Sequence, residues 1–222
     1  MNINFEPHFR RYEAIVRKAE NAFERIRLDY PQSVKCRIGC SDCCRALFDI
    51  SLIEAIYINY HFKKTIKGSK RDELIEKANI ADRRVYKIKR NAYRAASRGA
   101  SEDDILSAIA QQRVRCPLLN DDEKCDLYEY RPITCRIYGV PTAIRGKGHT
   151  CGLSGFSAGE AYPTINMDIL YHELYKLSLE MIKDIGSSHV KMADMLIPLS
   201  MALLTEYDQE YLGIARIKED NR

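Results

Sequence analysis

The sequence predicts a mainly α-helical protein whose helices pack around an irregular, cysteine-rich centre, with one small β-hairpin. Three observations predict this. Apolar residues recur at three- and four-residue steps over long segments, the signature of one-faced helices. That periodicity fades between residues 116 and 160, where glycine, proline and cysteine concentrate. The eight cysteines fall into two groups: Cys36, Cys40, Cys43 and Cys44 within one short stretch, then Cys116, Cys125, Cys135 and Cys151 after a long gap. With 222 residues, 45% hydrophobic and 30% charged, the chain can bury a core without covalent staples. It reads as a single domain over 1–222. Within it, a cysteine core over 36–151 is assembled from segments 36–48 and 115–152 and flanked by helices.

The elements follow in order. Residues 6–29 place Phe9, Tyr12, Ile15, Val16, Ala19, Phe23 and Ile26 on one face, and Pro31 stops that helix. The first cysteine group follows in a turn-prone segment around Gly39. Ser51 and Glu54 form a capping-box pattern at the head of an apolar helix to about Phe62. Gly68 and Ser69 break the chain before a long basic helix over about 70–98, with Leu74, Ile75, Ala78, Val85, Ile88 and Ala92 inward. Ser101 and Asp104 cap a short helix to about Gln111. CPLL, NDDEK and CDLY read as a small hairpin with a polar turn. Pro132 is placed as first residue of a short helix carrying Cys135. Residues 146–159 read as a glycine-rich loop. Leu170, Leu174, Leu177 and Met181 mark a helix over 167–185, and a last helical pair over 188–211 bends near Pro198.

The first residues, MNINFEPHFRRYEAIVRK, are amphipathic and mixed in charge, so no secretory leader is expected. The longest apolar stretch, 195–204, is about half a membrane span. A cytoplasmic location is expected, where thiols stay reduced and clustered cysteines favour metal over disulfides. The net charge of +4 hides an asymmetry. Residues 63–98 carry 13 Lys and Arg against 4 Asp and Glu, and the rest of the chain 22 against 27. Such a segment is either a solvated face or a contact surface for nucleic acid or an acidic protein.

The cysteines carry the chemistry. Closely spaced thiolates bind metal, form disulfides or do redox work. Cys40-Ser-Asp-Cys43 is a turn in which two sulfurs face one ion. Cys43 and Cys44 are neighbours whose side chains tend to diverge, so they suit different corners of one cluster or two adjacent sites. Four ligands per site is usual for structural zinc and for common iron–sulfur clusters. The eight cysteines, Cys36, Cys40, Cys43, Cys44, Cys116, Cys125, Cys135 and Cys151, thus supply two full sites, or one site plus extra thiols. Lys35, Arg37, Arg45, Arg115, Arg131 and Arg136 lie within a few residues of them and offset thiolate charge. The expected cofactor is an iron–sulfur cluster, of the [4Fe–4S] kind, or zinc; the adjacent pair tips the choice toward the cluster. A lone Cys151 is also consistent with a small buried hydrophobe, and His149 with an exposed loop residue rather than a ligand.

KCRIGCSDCC followed by CPLLNDDEKCDLYEYRPITCRIYGV resembles the YkgJ-type cysteine-cluster family of zinc- or iron-chelating CxxCxxCC domains. The matching parts are Cys36, Cys40, Cys43 and Cys44; Cys116-Pro-Leu-Leu119; Cys125-Asp-Leu-Tyr128; Arg131-Pro132; Cys135-Arg136; and Cys151. The first spacing has three intervening residues where the family shorthand has two. The resemblance covers about 36–151 and implies that Tyr128 packs beside the centre and that Arg131 braces a loop or neutralises thiolates. Flagellin lysine methylases are similar in their cysteine cluster, so a metal-dependent protein-modifying enzyme, such as a lysine N-methyltransferase, is a second expectation. Against it, the glycines at 139, 146, 148, 152, 155 and 159 lack the spacing of a Rossmann nucleotide site. His172 and Glu173 lack the second histidine of a metalloprotease helix. A nucleic-acid adaptor with a structural metal is a third expectation, and whether the chain is an enzyme at all stays open.

Overall fold

In the computed structural model, residues 3–157 and 159–215 are described. Seven α-helices stand among them: α1 (Glu6–Asp29), α2 (Leu52–Thr65), α3 (Gly68–Ser97), α4 (Glu102–Ala110), α5 (Ile133–Ile137), α6 (Met167–Asp184) and α7 (Leu199–Leu204). The strands are short. β1 (Asp49–Ser51) pairs antiparallel with β5 (Leu196–Pro198). β2 (Thr142–Ile144) pairs antiparallel with β3 (Lys147–His149) and parallel with β4 (Ile165–Asn166). The mainly α architecture around a cysteine-rich centre is therefore as the periodicity predicts. No helix among the described residues is long and apolar enough to cross a membrane.

Helix α2 is the hub. Leu52, Ile53, Ala55, Ile56, Tyr57, Ile58 and Phe62 are all buried, on more than one face, because α1, α6 and α7 pack around it. Its N-terminus carries the expected capping box: Glu54 accepts hydrogen bonds from the Ser51 N–H at 3.0 Å and hydroxyl at 2.9 Å. The same buried carboxylate accepts the Ile133 N–H at 3.0 Å and so fixes the start of α5. A buried carboxylate needs such donors to offset lost hydration. Desolvation, the dominant cause, still holds its pKa above the usual range.

Several expectations change in detail. Pro132 is the N-cap of α5 in extended conformation, not its first helical residue. At 116–128 the expected hairpin contracts to one bridge, Leu119 to Cys125. The true hairpin is β2–β3, which starts before the stretch that reads as a glycine-rich loop and runs into it. Its turn places Arg145 and Gly146 at φ 50° and 73°, the left-handed pair that two-residue hairpins require. The last helical pair is instead a 3-10 turn over Val190–Asp194, the strand β5 and the short α7. Pro198 ends the strand, where its missing N–H removes no helical bond.

The core is nearly continuous, with one exception. Ala81, Val85 and Val114, with Leu47 and Ile88 against them, form a small cluster separate from the main one.

Candidate metal centre

The first cysteine segment is a run of tight turns. Gly39 adopts φ 84°, cheap for glycine alone, and lets the Cys40 N–H close on the Arg37 carbonyl at 2.9 Å. The Cys44 N–H then reaches the Ser41 carbonyl at 3.0 Å, leading into a 3-10 turn over Cys43–Arg45. The second segment docks on this turn through its backbone. The Cys116 N–H donates to the Cys44 carbonyl at 2.7 Å and the Val114 N–H to the Arg45 carbonyl at 2.9 Å.

Beyond Cys116 the chain doubles back. The Asp126 N–H donates to the Leu118 carbonyl at 2.8 Å, which returns Cys125 to the same side. The Asn120 side chain organises the turn by accepting the Asp122 and Lys124 N–H groups, both at 3.0 Å. At its tip Glu123 takes a left-handed φ of 56°. Its carboxylate accepts from Ser41, from Arg45 at 3.1 Å and from Arg115 at 3.2 Å, clasping the two segments. A third arm, α5, brings Cys135 to the same cavity. Arg136 braces that arm: its largely buried guanidinium pairs with Glu20 of α1 and donates through Nε to the Arg131 carbonyl at 2.8 Å.

Six cysteines, Cys40, Cys43, Cys44, Cys116, Cys125 and Cys135, line one cavity of about 500 Å3. Within it the Cys43 sulfur accepts hydrogen bonds from the thiols of Cys135 and Cys44. Those bonds, Cys135's first, draw the Cys43 thiol well below the ordinary thiol range. The two donors stay protonated far above the ordinary thiol range, because ionising either would break its bond to Cys43 and burial opposes the charge. Burial foremost, then the neighbouring Cys125, pushes Cys116 up to about 12, and burial foremost also raises Cys125. Cys43 and Cys44 therefore face one another's sulfurs.

Cys36 and Cys151 lie outside the cavity lining. The Cys36 sulfur sits directly over Gly139, where a Cβ would stand 2.1 Å away. Partial burial, then the neighbouring Cys40 and Cys151, raise its pKa to about 11. Cys151 is 3.5 Å from a carboxylate oxygen of Asp42, itself paired with Arg113. Cys36, Cys40 and Cys151 are thus electrostatic neighbours of one another. His149 is exposed at the end of β3, away from the cavity.

Arg131 does what the resemblance implies for a brace. Its Nε donates to the Tyr128 carbonyl at 2.9 Å, and its guanidinium stacks 3.5 Å over the Tyr128 ring. From there it favours ionisation of Cys36, Cys43 and Cys125. Sequence reasoning missed four supporting residues: Glu123, Asp42, Gly139 and the second role of Glu54. Only Glu54 carried a signal, its capping box. The others act through long-range contacts that no local pattern marks.

Among the described residues, no three His, Cys, Asp or Glu side chains stand in coordination geometry around one point. The thiols engage one another instead. The donor set itself suits a thiophilic ion, since soft sulfurs select zinc and iron–sulfur clusters over hard cations. Ligation requires the thiols to lose their protons, so metal binding would be pH-dependent.

A family model, CxxCxxCC, described as "Putative zinc- or iron-chelating domain", matches residues 35–152. The match is more than half of the chain and takes in all eight cysteines. No curated protein and no solved structure matches the chain.

Proposed function

The chain belongs to the CxxCxxCC family, and on that premise we propose that its two-segment cysteine core holds an iron–sulfur cluster, with zinc as the alternative occupant. The observation that carries this reading is the convergence of six cysteines, from three separate stretches of chain, on one cavity. Cys43, Cys44, Cys116, Cys125 and Cys135 supply the inner ligands, of which a cluster takes four. Cys36, Cys40 and Cys151 form the outer group that caps the centre or binds a second ion.

A single zinc draws four sulfurs to about 2.3 Å from one point. Sulfurs spread over three arms, with Cys43 and Cys44 side by side, suit the corners of a polynuclear cluster better. When bound, the group supplies a cross-link between distant segments together with one-electron chemistry or a store of metal. The chain's own residues do the rest. Arg131 offsets thiolate charge, Glu123 clasps the first two segments, and Glu54 with Arg136 fixes the arm that carries Cys135. No observation favours lysine methylation or nucleic-acid binding over chelation. Within 63–98, Lys63, Lys70, Lys77 and Lys89 are paired with carboxylates.

The test is iron, zinc and acid-labile sulfide analysis with a visible spectrum, on protein purified anaerobically. Iron and sulfide in comparable amounts, with charge-transfer absorption, are expected. Colourless protein with zinc and no iron would replace the cluster by zinc. Folded, metal-free protein with eight titratable thiols would overturn chelation itself.

A further inference from the structure

The cavity that the cysteines line is not lined by cysteines alone. Its far side is apolar and is made by two walls that do not meet. Leu47, Val85 and Val114 belong to the small separate cluster, while Phe48, Ile58 and Leu199 pack on the main core. The cavity is the gap between the two clusters. The cavity, about 500 Å3 in all, is open to solvent, and the six cysteines share its lining with these apolar side chains. Engineered apolar cavities stay dry and take up apolar ligands. The volume also falls within the range of small-molecule sites, which pair an apolar lining with few polar groups.

The polar groups here are cationic. Arg131 lines the cavity, and its guanidinium is held by the Tyr128 carbonyl and ring. It has no carboxylate partner among the described residues. Arg37, also without one, stands exposed beside Ile38 at the mouth, where Ile38 is 89% exposed. The one lining carboxylate, Glu123, is already paired with Arg45 and Arg115.

We propose that this cavity is a binding site for a small organic anion with an apolar body, seated with its anionic end at Arg131 and Arg37 and its body between the Leu47–Val85–Val114 wall and the Phe48–Ile58–Leu199 wall. The ligand thereby lies against the cysteine centre. This goes beyond chelation and rests on it only in that metal-bound thiols line the other side.

The test uses full-length protein as purified, with its metal content measured on each sample. The probes are octanoate, octan-1-ol and octylammonium, followed by calorimetric titration and by displacement of anilinonaphthalene sulfonate fluorescence. Octanoate is expected to bind with the alcohol at least 10-fold weaker and the ammonium weakest, since a charge-assisted bond to arginine separates the three. Val85→Trp fills the apolar side and is expected to abolish octanoate binding at unchanged metal content. Val85→Phe is a milder filler should the larger one not fold, with a smaller loss expected. Arg131→Gln is expected to equalise octanoate and octanol. Wild-type protein that binds none of the three, or binds octanoate as tightly after Val85→Phe and Arg131→Gln, would overturn the site. Metal loss with ligand binding intact would strike chelation and leave the site standing.

Discussion

The inner and outer thiols differ in what holds them. Cys43, Cys44, Cys116, Cys125 and Cys135 lie on three arms joined by backbone hydrogen bonds, by the Glu123 clasp and by the Glu54 and Arg136 braces. All five line one cavity, where the Cys43 sulfur has the thiols of Cys135 and Cys44 against it. Cys36 and Cys151 lie in irregular backbone outside its lining, one over Gly139 and one against Asp42. The contrast teaches that closeness in sequence does not decide which cysteines act together. Cys36 belongs to the first motif, yet its sulfur has the distant Cys151 beside it as well as Cys40. Cys44 meets Cys116 across the chain instead.

The comparison breaks most readily at the inner thiols. Cys43→Ser removes the shared acceptor and is expected to lower metal per chain at least 10-fold, whereas Cys151→Ser keeps more than about half; metal analysis of both variants checks this. Equal losses would erase the distinction. Next in size is Arg136→Ala, which strips a nearly buried guanidinium from Glu20 and two backbone carbonyls. A cost of about 1–3 kcal/mol in denaturant unfolding is expected, from the two carbonyls that lose their donor, while the half-exposed Glu20 regains water. The inner centre should then lose its metal faster to a chelator.

An effect of similar size sharpens the outer group. Gly139→Ala thrusts a methyl at the Cys36 sulfur, and overpacking of that kind costs about 1–3 kcal/mol. Cys36→Ser, with its smaller oxygen, is expected to relieve part of that cost, read as a double-mutant cycle. Additive effects would show that Cys36 is held elsewhere. Smallest is a control on neither group. His61 stacks 3.7 Å from Tyr130, and burial foremost, then Lys64, lowers its pKa to about 4. Between that value and the unfolded pKa of about 6.5, the unfolded chain binds the extra proton, so stability present at neutral pH falls as pH drops through this window. His61→Phe is expected to flatten the melting temperature between pH 7 and pH 4.5 relative to the parent, with metal content at pH 7 unchanged.

Much of the fold was legible because helices advertise themselves through one apolar face. The bounds of α1 and the Ser51–Glu54 capping box follow from a few residues each. The C-terminal region was not legible. There, an apolar run that reads equally as helix or strand is decided by β1, which lies far away in sequence and pairs Ile50 with Ile197. The β2–β3 hairpin was hidden for a related reason: its turn uses Arg145 at positive φ, where a pattern reader expects Asn or Asp. The site was legible in its donors and illegible in its supports. Cysteine spacing marks the thiols, but Glu123, Asp42 and Gly139 serve through contacts with residues distant in the chain.

The measurement that bears most directly on the inner–outer division is residue-resolved alkylation. Folded protein, as purified and again after chelator treatment, is exposed to iodoacetamide and its cysteine peptides are mapped by mass spectrometry. Cys43, Cys44, Cys116, Cys125 and Cys135 are expected to resist alkylation until the metal is removed, while Cys36 and Cys151, whose raised pKa slows them, react at the same rate in both samples. Inner cysteines that react at the same rate with and without metal, or outer ones that alone gain reactivity on its removal, would contradict the division.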